Sequence, residues 1–421
     1  MTGPIDGVDM VTRSIAIPLT AMASWFVLGC PTSSAESRTG AGVEAAFERE
    51  SYRPGTSATL RIAKPAGVAR LQIFRSGPEQ SATRDDDTML GVPVTVARGV
   101  RVRRGGTEVA VDVGDWPSGL YFARLETRGR VGFAPFVVAP RRLGVNRVAI
   151  VMPTRTWQAY NFRDDDGDGE SDTWYAMTGS QRARLARPFL NRGVPPHFRA
   201  YDLRFLRWLY ATGRDVDVLA QEDLDEWSGA ALARSYRLVI FPGHHEYVTE
   251  AEYDAVTAFR DLGGNLAFLS ANNFFWKISV RDRTMTRVAK WRDLGRPEAS
   301  LLGVQYRAND RGGRRAPWLV RDTPASRWLF ANVALRNGRE FSAGNVEIDA
   351  VARSSPPRIE VVAEIPDLMG PGLTAQMTYY ETAAGAKVFA AGAFSLARNV
   401  YEAPVRQFLA NLWRRLSARG S

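Results

Sequence analysis

The sequence predicts two domains, an all-β sandwich followed by an α/β doubly wound domain. Three observations carry this prediction. Residues 43 to about 140 alternate short β-type runs with turn residues, and from Val145 onward apolar strands alternate with helical stretches. A length of 421 residues with 45% apolar residues is ample for more than one core.

Ahead of the sandwich, Met10 opens a basic start ending at Arg13, followed by an apolar run from Ile15 to Leu28 and then Gly29-Cys30. This resembles a bacterial lipoprotein signal, which makes residues 1–29 an export signal with Met10 as the start and Cys30 the lipidated residue. An ordinary cleaved secretory signal or an uncleaved anchor fits the same pattern. Each reading places the protein outside the cytoplasm, lipid-anchored to a bacterial membrane or secreted. Residues 30–42, rich in Ser, Thr, Ala and Gly, read as a flexible tether. Cys30 is the single cysteine, so a disulfide within the chain and a thiolate zinc cluster are excluded.

The sandwich, residues 43–140, is expected to be immunoglobulin-like. Its candidate strands include Ala58–Ile62, Arg70–Phe74, Glu108–Asp112, Leu120–Arg124 and Phe133–Val138. In the second domain, residues 141–421, candidate strands are Arg147–Met152, Asp215–Leu219, Arg237–Phe241, Asn265–Leu269, Ile359–Glu364, Gln376–Tyr380 and Lys387–Ala391. The helix Thr249–Leu262 opens with a capping box, Thr249 to Glu252, and stops at Gly263-Gly264. The last helix carries an apolar stripe at Val405, Phe408, Leu409, Leu412, Trp413 and Leu416. Residues 280–358 break the rhythm and read as an insertion covering the site.

The net charge of +10 is almost wholly arginine, since only four of the 55 basic residues are lysine. The arginines are scattered through every segment and interleaved with 45 acids, so a nucleic-acid partner is not expected.

Chemistry concentrates at Gly243-His244-His245-Glu246-Tyr247, which follows a buried strand and holds two of the three histidines. Ligands of open α/β sheets bind at that edge. Three other segments should reach it: Trp157–Asn161, Tyr201-Asp202, with Asp202 as a helix N-cap, and Ser270–Asn273. From about 147 to 415 the chain resembles the carboxy-terminal domain of the large subunit of N,N-dimethylformamidase, a glutamine-amidotransferase-like domain. The resemblance is carried by Ala159-Tyr160-Asn161, Tyr201–Leu209, Gly243–Tyr247 and Gly264–Asn272. It implies a ferric ion held by Tyr160, Tyr201 and Glu246, with His244 and Asn272 as catalytic neighbours. Two phenolates and a carboxylate are hard donors suited to such a cation. Taken singly, each of these residues also has a structural explanation as a core tyrosine, a capping acid or a turn asparagine.

Asp164, Asp166, Asp168 and Asp172 stand at alternating and near-alternating positions in a glycine-containing segment, which suits a calcium loop or a solvated acidic loop. The expected function is metal-dependent hydrolysis of a small amide, in a homo-oligomer or with a small accessory subunit. The alternative is a non-catalytic cell-surface module that binds glycan or peptide.

Overall fold

A computed structural model describes residues 42–175, 180–310 and 312–418. The predicted signal, Cys30 and the tether up to residue 41 lie outside the described residues. Nine strands form the first part: β1 (Glu44–Phe47), β2 (Ser51–Tyr52), β3 (Ser57–Lys64), β4 (Gly67–Arg75), β5 (Val92–Pro93), β6 (Arg98–Val102), β7 (Thr107–Asp112), β8 (Gly119–Thr127) and β9 (Arg130–Val138). They divide into a β1-β3-β7 sheet and a β2-β9-β8-β4 sheet, with β5 and β6 paired to β4. Period-two alternation sets the inner faces: Ala58, Leu60 and Ile62 of β3 meet Leu71 and Ile73 of β4 and Tyr121 and Leu125 of β8 in one core. Leu120 and Phe122 point the other way and join the core of the second part.

The second part begins with β10 (Val148–Met152) and α1 (Thr154–Ala159), then β11 (Arg182–Arg184) and a π-helical turn, Arg199–Leu203, that runs into α2 (Arg204–Ala211). It continues through β12 (Asp217–Ala220), α3 (Gln221–Glu226), α4 (Gly229–Ser235), β13 (Leu238–Phe241), β14 (Tyr247–Val248), α5 (Glu250–Asp261) and β15 (Asn265–Phe268). Next come β16 (Trp276–Arg281), β17 (Thr284–Lys290), α6 (Ala299–Leu302), β18 (Gln305–Asn309), β19 (Arg315–Val320) and β20 (Glu340–Ala350). The chain closes with β21 (Glu360–Ile365), β22 (Ala375–Glu381), β23 (Lys387–Ala390), β24 (Ala393–Phe394) and α7 (Ala403–Ser417).

The large sheet has the order β12-β10-β13-β15-β23-β22-β21-β19-β20-β18. Its first five strands are parallel, and the rest pair antiparallel. The parallel strands are apolar on both faces because both are covered. Val148, Ile150, Leu238 and Ile240 pack with α2 and α7, whereas Ala149, Val151, Val239 and Phe241 pack with α3, α4 and α5.

The stretch 280–358 is more regular than expected. β18, β19 and β20 extend the sheet itself, and β20 forms one wall of the site. Register shifts in their pairings interrupt the alternation that would betray them in sequence.

The two parts meet closely. Phe133 of β9 donates its backbone N–H to the Arg192 carbonyl at 2.7 Å. Gly193, at φ +91°, brings the position of a Cβ to 1.7 Å from the Phe133 carbonyl oxygen. Gly193→Ala should therefore cost about 2 kcal/mol or more, read as a lower urea midpoint; an unchanged midpoint would mean the contact is not formed.

Candidate metal centre

The site lies past the carboxyl ends of β10 and β13. Gly243 allows the approach there, since a Cβ would stand 2.1 Å from Asp202 Oδ1. His245 is structural: its ring nitrogens lie 2.9 Å from the Val151 carbonyl and 3.2 Å from that of Gly243, and it packs edge-on to Phe241. That anchor fixes its neighbours Glu246 and His244, the latter on the cavity wall. The Glu246 amide donates to Thr156 Oγ1 on α1 at 3.1 Å, which ties the β13 loop to the helix that Tyr160 terminates.

The Tyr160 hydroxyl donates to Glu246 Oε2 at 2.6 Å. His244 Nε2 lies 3.6 Å from the same oxygen and 3.5 Å from Oε2 of Glu347, on β20. Burial raises Glu246 to about 7 and pushes Glu347 well up, with Glu246 adding to the latter. Burial also lowers His244 to about 3, so a neutral imidazole faces the acids. His244 Nε2, Glu347 Oε2, Asn272 Oδ1 and Asp202 Oδ1 are all buried without a hydrogen-bond partner. None of the groups acting most strongly on Glu246 or Glu347 is a cation. Buried acids in that state call for a positive charge.

Tyr201 stands on the wall of the same cavity, a space of about 80 Å³ that Trp157, Tyr160, His244, Glu347 and Phe394 also line. Its ring packs 4.8 Å from Phe394 and 5.1 Å from His197. Burial, followed by Glu347, raises its phenol to about 12. The expected Asp202 N-cap is corrected: the helical path starts at Arg199, Asp202 lies inside the π-turn, and its carboxylate accepts from Trp157 Nε1 at 3.1 Å. Asn272 does not line the cavity. At φ +54° it donates its backbone N–H to Asp349 at 3.0 Å, and its side-chain amide favours the charged forms of Glu246 and Glu347.

In the acidic segment, ligand atoms of Asp164, Asp166 and Asp172 lie within 4.8 Å of one another. Asp168 is not in that group. It accepts from the Glu170 amide at 2.8 Å, so the four-carboxylate expectation reduces to three.

A family model described as N,N-dimethylformamidase beta subunit-like, C-terminal, matches residues 106–400. The chain belongs to this family. The match begins within the sandwich, at the turn before β7, rather than at the start of the α/β part. The N,N-dimethylformamidase beta subunit of Paracoccus aminophilus is 33% identical over 147 residues, 32% of this chain and 19% of that protein. That of Alcaligenes sp. is 31% identical over the same length and shares. The chain thus spans about a fifth of these curated relatives in the matched region. Among solved structures, a superoxide reductase from Ignicoccus hospitalis reaches a TM-score of 0.17 at 10% identity, covering 24% of this chain and 83% of that one; no argument rests on it.

The family match includes Tyr160, Tyr201, Glu246 and Glu347. Glu347 is the site residue that sequence reasoning misses. A local signal exists, because Glu347 and Asp349 sit two apart on a strand around Ile348, which puts two acids on one face. The donor set fits a hard cation, with oxygens from phenols and carboxylates, orphaned buried acceptors and no ammonium or guanidinium among the strongest influences on Glu246 and Glu347.

Proposed function

We propose that this chain binds ferric iron through Tyr160, Tyr201 and Glu246 and hydrolyses a small amide. It would do so at the extracytoplasmic face of a bacterial membrane, tethered through Cys30, on an amidotransferase-like doubly wound domain behind an immunoglobulin-like sandwich. The observation that supports it most is the pair of buried acids, Glu246 and Glu347, both within 3.6 Å of the neutral His244 Nε2, with no cation among the groups that act most strongly on them. When bound, iron would polarise an amide carbonyl and acidify water.

The rest falls to side chains. Neutral His244, between the two carboxylates, can pass a proton from one to the other. Glu347, kept in its protonated form by burial, can give its proton to the departing amine nitrogen as the C–N bond breaks and recover one from the attacking water as the C–O bond forms. Asn272 holds both acids in register. Trp157 and Phe394 give the cavity its apolar walls, and about 80 Å³ admits only a small acyl amide. The relatives are named as subunits, so a homo-oligomer or a small accessory subunit belongs to the same reading.

The chain purified after growth with iron should carry about one iron per chain and a phenolate charge-transfer colour, weakened in Tyr201→Phe. A colourless, iron-free protein would refute the reading. Iron without amide turnover above a Glu246→Ala control would favour the non-catalytic binding module.

A further inference from the structure

A second phenol reaches the Glu246 carboxylate that Tyr160 contacts, and it comes from the far end of the acidic segment. Tyr175 lies three residues past Asp172, in a stretch whose polar character suggests nothing more than a solvated loop. Its ring stacks on Tyr160, with centroids 4.9 Å apart and planes 26° from parallel. Its hydroxyl lies 3.5 Å from Glu246 Oε2, the oxygen that Tyr160 contacts at 2.6 Å. The same hydroxyl is hydrogen-bonded to that of Tyr247, which accepts from Trp174 Nε1 at 3.1 Å. Trp174 and Tyr247 thereby fix where the Tyr175 oxygen sits.

Core filling does not explain this placement. Tyr175 is 41% exposed, yet its oxygen is directed at a buried acid. A tyrosine recruited for packing would bury the ring and leave the hydroxyl wet. The spacings also suit a shared ion, since oxygens each about 2 Å from one cation lie about 3 Å from each other.

We propose that Tyr175 is a further phenol donor to the cation held at Tyr160 and Glu246, so that the acidic segment following Tyr160 contributes to the metal shell. The inference rests on the iron reading above. It makes the inner shell of this chain richer in phenol than the two-tyrosine set that the resemblance implies. It also makes one ligand an exposed residue.

The test uses the full chain loaded with ferric iron, comparing Tyr175→Phe with wild type by visible absorption per bound iron. The expected result is a weaker charge-transfer band per iron at a similar iron content; spectra that superimpose per iron overturn the proposal. Should Tyr175→Phe not fold or not take up iron, tetranitromethane nitration of wild-type protein decides, because Tyr175 is an exposed residue. Tyr175 is expected to be nitrated in the metal-free chain and protected several-fold by ferric iron, and equal nitration in both states overturns the proposal. A wild-type chain that takes up no iron sinks the metal centre itself. A coloured wild type matched by an unchanged Tyr175→Phe sinks only the role of Tyr175.

Discussion

Arg155→Met is expected to destabilise the chain by about 3 to 5 kcal/mol. Arg155 is 1% exposed and pairs with three acids from three elements: Glu50 between β1 and β2 at 3.5 Å, Asp225 on α3, and Glu252 on α5 at 3.4 Å. It is the positive charge at the junction of the sandwich, α1 and the helices behind the sheet. Glu252 has no exposed surface, and its other side-chain partner is the Gln221 amide. Burial already raises Glu252 well above 4.5, with Arg155 opposing the rise. Without the guanidinium that rise grows. A carboxyl raised in the folded state contributes stability below its unfolded value and loses it as pH climbs toward the folded one. The variant should therefore lie closest to wild type near pH 4.5 and fall furthest behind at pH 8. Urea unfolding at both pH values checks this, and an equal deficit at the two would mean the acids are not the cause.

Glu246→Gln should act in opposite directions on function and on metal-free stability. Iron content should collapse, and amide turnover should drop by more than the roughly 10- to 100-fold that outer-shell partners of a metal cost. Yet the metal-free variant should melt higher than metal-free wild type at pH 8. Burial raises this carboxyl from 4.5 to about 7, so its ionisation above that range opposes folding, whereas a glutamine still accepts from Tyr160. The gain should vanish well below pH 4.5, where the acid is protonated in both states. Such a gain marks a residue kept for binding at the expense of stability. A variant less stable at pH 8 would instead make Glu246 a structural acid.

The sequence discloses the elements of this molecule unevenly. Leu238–Phe241 and Asn265–Phe268 are legible because strands covered on both faces become short apolar runs ended by glycine or a turn, and the Thr249 cap marks the start of α5. β18 to β20 are not legible, since bulged and partly exposed strands lose their period. Glu252 shows how a local motif can mislead. It completes a capping-box pattern with Thr249, and Thr249 does accept from its amide, but its carboxylate turns to Arg155. At the site, His244 and Glu246 stand out by their position after a buried strand. Nothing in linear spacing says that Tyr160, 86 residues away, hydrogen-bonds to Glu246. Only the family resemblance points there. Glu347 and Tyr175 escape both kinds of reading, the first because it arrives on an irregular strand, the second because it lies beside a run of aspartates that draws the eye to calcium.

The central claim is that the acids and phenols around Glu246 are balanced by a metal cation. The most direct measurement is an anomalous difference map, collected at the iron absorption edge, from crystals of the full chain purified without chelator. The account predicts one strong peak within bonding distance of the Tyr160 and Glu246 oxygens. A cavity holding only water, or a peak confined to the Asp164–Asp172 segment, would contradict it.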